Sequence, residues 1–177
     1  GYTGPRDDYF TAVNRWFTLR HDFPIDRDWL VPTTGVVQAV FSAVRAFSSP
    51  GDKVLVQTPV YYPFFRAVEE NGRQLLSNEL RIADDRYIID FEDFEKKMAQ
   101  ARLFILCSPH NPVGRVWTAA ELEALGEVCE RRDLLVLADE IHMDLVLRGH
   151  RHVPFASLSE KLAARTITCI APSKTFN

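Results

Sequence analysis

Four places in the sequence set polar or aromatic residues just behind an apolar run: Tyr61 and Tyr62 in TPVYYP, Asn111 in SPHNPVG, Asp139 and His142 in ADEIH, and Ser173 and Lys174 in APSK. A fifth, Gly35 in VPTTGVV, opens a helical pattern directly after an extended piece. These residue types define a chemistry. A lysine amine condenses with an aldehyde to a Schiff base. A carboxylate beside a pyridine nitrogen keeps it protonated, so that the ring draws electrons from a bound substrate. An aromatic side chain stacks on a flat ring, and the N–H groups of a helix N-terminus hold a phosphate. Pyridoxal 5'-phosphate asks for all four, and Lys174, Asp139, Tyr61 and the backbone at Gly35 and Val36 are of the types that supply them.

Taken one at a time, the same residues have ordinary explanations. Asn111 before Pro112 is a common turn former, and an Asp behind a strand is commonly a loop or cap residue. Tyr61 and Tyr62 roof a core as readily as they stack on a ligand, and GVV is also a plain helix start. His142 alone reads as a partly exposed helix residue, and His110, His150 and His152 read as solvated or turn residues. Lys174 resists such a reading most, because it follows an apolar strand and desolvating an ammonium is costly. Five loops contributing together make the coincidence of such ordinary explanations improbable.

The elements that must bring them together are short. Helical spacing places Phe10, Val13 and Phe17 on one face of residues 6–20, and Val36, Val40, Ala43, Val44 and Phe47 on one face of the helix after Gly35. YPFFRAVEEN reads as a helix stopped near Gly72, and DFEDFEKKMAQ as one with Phe91, Phe94 and Met98 on a side. Thr118 and Glu121 in TAAE form a capping box before Leu122, Leu125 and Cys129. Between these lie DKVLVQTP, RQLLSNELR, RLFILCSP, DLLVLADE and RTITCIAPS, read as strands, the last two as buried ones. Apolar strands separated by amphipathic helices predict an α/β fold with a mostly parallel sheet and helices on both faces. Ligands of such sheets bind at the carboxyl ends of the strands, where all these loops lie.

Composition narrows the classes. The 177 residues carry a net charge of -3, with basic residues scattered, which argues against nucleic-acid and membrane partners. No apolar run approaches the roughly 18–20 residues of a membrane span, and no signal peptide is visible behind Gly1. Three separated cysteines, Cys107, Cys129 and Cys169, read as reduced core thiols of a cytoplasmic protein, with no disulfide or metal framework. Neither G-x-G-x-x-G nor G-x-x-x-x-G-K-[ST] is present, so a nucleotide-binding module fits poorly.

SPHNPVG, ADEIH and SKTFN, in this order and at these separations, resemble the fold-type I pyridoxal-phosphate enzymes of the class I/II aminotransferase superfamily. The DEIHMD form is closest to the branch of cystathionine beta-lyase-like C-S lyases. The resemblance runs over residues 1–177 and implies the large, cofactor-binding domain. It implies that Lys174 carries the cofactor and moves the Cα proton, that Asp139 pairs with the ring nitrogen, that Asn111 donates to the ring oxygen and that Tyr61 stacks on the ring. Gly35, Val36 and Ser173 would hold the phosphate. His142 stands where the aminotransferases carry a Tyr that contacts the ring oxygen, and Tyr2 resembles the tyrosine that reaches the phosphate of a neighbouring subunit, implying a homodimer. Ala171 stands where relatives often have Ser, which shifts phosphate binding toward the helix. The small domain, the N-terminal arm and the arginine for the substrate carboxylate would lie outside the sequence, so little turnover is expected from this stretch alone. The implied reaction is β-elimination from cystathionine or a related cysteine conjugate; the alternatives are amino-group transfer to a keto acid and a non-catalytic domain.

Overall fold

A computed structural model describes Arg6 to Phe176 as two units divided after Thr34. The first holds helix α1, Asp7–His21. Asp7 and Asp8 in its first turn and Arg20 and His21 in its last complement the helix dipole. Asp22 ends it in the left-handed conformation, returning its N–H to Phe17 and Thr18. A 3-10 turn follows at Arg27–Trp29.

The second unit opens with helix α2, Val36–Phe47, followed by strand β1, Lys53–Thr58, helix α3, Pro63–Glu69, and strand β2, Gln74–Glu79. A small antiparallel hairpin, β3 (Arg81–Ala83) with β4 (Arg86–Ile88), precedes helix α4, Phe91–Met98. Strand β5, Leu103–Cys107, leads into helix α5, Ala119–Arg131, and strand β6, Leu135–Asp139. Helix α6, Glu160–Ala163, and strand β7, Thr166–Cys169, complete the order. The capping box of α5 forms as its sequence predicts: Thr118 Oγ1 accepts from the Glu121 N–H, and Glu121 accepts from Thr118.

The main sheet has the order β2-β1-β5-β6-β7, and every pairing in it is parallel. Alternation along the strands gives it two apolar faces. Leu55, Phe104, Leu106, Val136 and Ala138 pack with α4, α5 and α6, through residues such as Phe94, Leu125 and Leu162. Val54, Val56, Leu103, Ile105 and Leu137 pack with α2 and α3, through Val40, Val44 and Phe64. The mostly parallel, doubly covered sheet read from the sequence is thus the one observed. From β1 the chain crosses through α3 to β2 on one side; from β5 it crosses through α5 to β6 on the other. The reversal falls between β1 and β5, and in open α/β sheets that switch point leaves a crevice at the strands' carboxyl ends.

Three expectations need correction. Strand β7 is not buried: it edges the sheet, and Thr166 to Thr168 are half-buried. Phe47 and Phe91 are exposed because they sit at helix termini, where the inward stripe has run out. ADEIHM does not continue into a helix; Ile141–Asp144 is a turn closed by Met143 N–H to Glu140 O at 2.9 Å and Leu145 N–H to His142 O at 2.9 Å.

Candidate active site

The crevice is a cavity of about 260 Å³ with walls from five segments. The start of α2 contributes Val36 and Val37, the loop after β1 Tyr61, and the loop after β5 Asn111. Asp139 comes from the last position of β6, Ile141 and His142 from the turn behind it, and Lys174 from the turn after β7. Six of the predicted site residues, Val36, Tyr61, Asn111, Asp139, His142 and Lys174, thus meet in one place.

Asp139 is the most buried of them, at 4% exposure, and its Oδ1 accepts the N–H of Ile141 at 3.2 Å. Burial, with a smaller contribution from neighbouring Glu140, pushes its pKa up to about 6 despite that bond. Cys107 and Cys169 pair in register with Asp139 on the adjacent strands, so a thiol flanks the carboxylate on each side. Burial first, then the negative charge of Asp139, pushes both thiols up to about 12, which keeps them neutral. A buried carboxylate between neutral groups and open to a cavity is a site that favours a cation.

Tyr61 is half-buried, its ring edge-on to Phe64 at 5.9 Å, where Tyr61 O accepts the N–H of Phe64 and turns the chain into α3. Asn111 is fixed from below by its own N–H, donated to Cys107 Sγ at 3.4 Å, while that thiol donates to Pro109 O at 3.5 Å. His142 is half-buried, and its pKa is lowered by burial and then by the charge of Lys174, which favours the neutral ring. Lys174 ends a 3-10 turn, Pro172–Lys174, started by the fixed φ of Pro172. The next residue, Thr175, donates to Asp144 Oδ2 at 3.0 Å and ties this turn to the one that carries His142. Among the described residues the lysine is exposed at the cavity mouth, not desolvated as the apolar strand leading into it predicts, since β7 edges the sheet that these residues form.

Gly35 caps α2 with φ 152° and ψ 162°, a conformation that essentially only glycine adopts. No side chain caps the helix and its first turn holds no acidic residue, so an anion is favoured there. Space around Gly35 is open where a Cβ would stand. Gly35 precedes the cavity wall by one residue, and Ser173 is exposed and outside it. Tyr2 lies outside the described residues. Set against these features, a phosphorylated aldehyde with a cationic ring fits: the amine, the buried carboxylate, the aromatic face and the uncapped helix start all border one cavity. Among the described residues no cluster of His, Cys, Asp or Glu is able to hold a metal ion, and no helix is long and apolar enough to cross a membrane.

Sequence reasoning did not foresee Val37, Cys107 and Ile141 in the wall. Strand parity held the signal for Cys107, since it stands opposite Asp139 on the neighbouring strand. Two histidines also depart from expectation. His110 and His152 are neither solvated nor loose turn residues; they are 1% and 3% exposed. His152 is buried because its Nε2 meets Glu140 at 3.1 Å, and His110 because its ring lies against Trp117.

The aminotransferase class I and II model matches residues 2–177. Cystathionine beta-lyase PatB of Bacillus subtilis (strain 168) is 50% identical over 100% of the chain and 46% of its own length. Cystalysin from Treponema denticola, whose crystal structure contains a pyridoxal 5'-phosphate cofactor, superposes with a TM-score of 0.97 at 47% identity, over 100% of this chain and 45% of that one. The PLP-bound C-S lyase from Staphylococcus hominis superposes with a TM-score of 0.92 at 34% identity, over 100% and 46% of the two chains. The chain belongs to the class I and II aminotransferase family, with the fold of the large domain of fold-type I enzymes. It spans less than half the length of these relatives.

Proposed function

We propose that the protein is a pyridoxal-phosphate-dependent carbon–sulfur β-lyase, that residues 1–177 belong to its large domain, and that it works as a homodimer in the cytoplasm. The observation that carries this reading is the convergence of Lys174, Asp139, Tyr61, Asn111 and His142 on one cavity at the sheet's switch point. Support for the lyase branch comes from the cystathionine beta-lyase and C-S lyase relatives.

In this reading Lys174 would hold the cofactor's aldehyde, Asp139 its ring nitrogen, Asn111 and His142 its ring oxygen, and Tyr61 its ring face. The start of α2 at Gly35 and Val36, with Ser173, holds the phosphate. When bound, the group supplies an electron-withdrawing cationic ring to the Cα of an amino-acid substrate. Asp139 keeps that ring cationic: its own pKa, raised by burial, leaves it short of a positive partner, and a pyridinium N–H is one. Lys174 would take the Cα proton of the substrate as a general base. The electron pair left at Cα drives out the Cβ–sulfur bond, and the sulfur leaves as a thiolate that takes up a proton. Water then converts the remaining three-carbon fragment to pyruvate and ammonia. His142, held neutral by burial and by Lys174, presents an imidazole where a transaminase would present a phenol.

Amino-group transfer is the second reading, favoured by the family's principal chemistry. There Lys174 would give the proton back in the course of amino-group transfer, and the Cβ–sulfur bond would stay intact. The assay that separates the two supplies the whole protein with cystathionine and no keto acid. Thiol and pyruvate in equal amounts are expected; release that depends strictly on an added keto acid overturns the lyase reading.

A further inference from the structure

His110 is 1% exposed, forms no part of the cavity wall, and sits one residue before Asn111. Its Nε2 lies 2.9 Å from the carbonyl oxygen of Pro59, which makes that nitrogen the donor. Pro59 stands two residues before Tyr61, in the loop after β1. The imidazole therefore spans the gap between the two loops that border the switch point, from behind the wall. We propose that His110 is a positioning residue for the cofactor site: it fastens the loop of Asn111 to the loop of Tyr61, so that both meet the same ring at a fixed separation. The proposal rests on the cofactor reading above.

The ring is held by Nε2 and by its packing, while Nδ1 is buried without a hydrogen-bond partner among the described residues. Its plane is edge-on to Trp117, with centroids 5.5 Å apart, and Trp117 Nε1 donates to Cys107 O at 3.1 Å at the end of β5. The His110 N–H donates to Arg115 O at 2.7 Å, and Gly114 N–H to His110 O at 2.8 Å, closing the Asn111 loop on itself. Arg115 stacks over the same indole at 4.6 Å and bonds Glu121 and the Tyr87 carbonyl. Burial pushes the His110 pKa down to about 4, with the charge of Arg115 acting the same way, so the clamp is a neutral ring throughout the physiological range. The bond to Pro59 O is part-buried, so its loss costs the modest amount of an ordinary hydrogen bond, and here that cost falls on the backbone that leads into Tyr61.

Glutamine and methionine separate the donor from the packing, being alike in length but not in hydrogen bonding. His110→Gln keeps an N–H donor within reach of Pro59, and His110→Met removes it. Two readouts are compared: amide hydrogen exchange in segments 58–62 and 108–115, without cofactor, and the affinity for pyridoxal 5'-phosphate from its absorption band. His110→Met is expected to speed exchange in both segments and to weaken affinity about tenfold, with His110→Gln close to the parent. If the Met variant does not fold, His110→Asn, too short to reach Pro59, takes its place. Equal behaviour of the donor and non-donor variants, or faster exchange spread evenly over the fold, overturns the clamp. A parent protein that never binds the cofactor overturns the cofactor reading alone, because the exchange comparison still decides the clamp.

Discussion

Asp139 is the most buried ionisable side chain proposed for cofactor binding, at 4% exposure, and it carries the clearest electrostatic conflict there. Its folded pKa of about 6 lies above its ordinary value of 3.8, so between those values the folded state holds a proton that the unfolded state has lost. Stability from this group is complete below about pH 4 and is lost as pH rises through about 6. Asp139→Asn removes the loss: denaturation of cofactor-free protein should show the variant more stable than the parent at pH 7, by up to roughly 3 kcal/mol, with the difference vanishing near pH 3. The same variant should bind pyridoxal 5'-phosphate more weakly, since the strain is relieved in the parent by a cationic ring. This division of labour, stability given up for a site, is common where function needs a buried charge. The identity of Asp139 was legible in the sequence because ADEIH closes an apolar strand. The burial of His110 was not, because its cause is Trp117, seven residues along the chain and brought back by the turn at Gly114.

Among the elements, α2 is the one whose N-terminus is proposed to hold the cofactor's phosphate. The backbone of Gly35, at φ 152°, is disallowed to other residues, yet a Cβ there would touch nothing within 4 Å. Gly35→Ala therefore tests backbone conformation without a clash. A loss of about 1–3 kcal/mol of stability is expected, measured by urea denaturation, together with weaker binding of pyridoxal 5'-phosphate as the first turn of α2 re-aims. Unchanged stability and affinity would mean that the helix start is an ordinary one. Most elements were readable from periodicity and caps: α5 begins at its capping box, and β1, β5 and β6 are the expected apolar runs. The hairpin β3–β4 was not, since strands of three residues with exposed side chains carry no alternation to detect. The edge position of β7 was equally hidden, because composition reports a strand's apolarity and not which neighbours lie beside it.

At the scale of the whole molecule, the parallel sheet reverses its winding between β1 and β5, and Tyr61, Asn111, Asp139 and Lys174 all stand at or just behind the carboxyl ends of its strands. The account makes Lys174 the amine that carries the cofactor. It also predicts that Lys174→Ala abolishes thiol and pyruvate formation from cystathionine by at least a thousandfold on the scale of lost catalytic groups. The most direct test is chemical. The protein is mixed with pyridoxal 5'-phosphate, reduced with borohydride to fix any lysine-bound cofactor as a secondary amine, and mapped by mass spectrometry. Lys53, Lys96, Lys97 and Lys161 serve as internal controls. Stoichiometric label on Lys174, reduced at subsaturating cofactor in Asp139→Asn and Gly35→Ala, is the predicted result; label spread over the other lysines, or none at Lys174, would contradict the account.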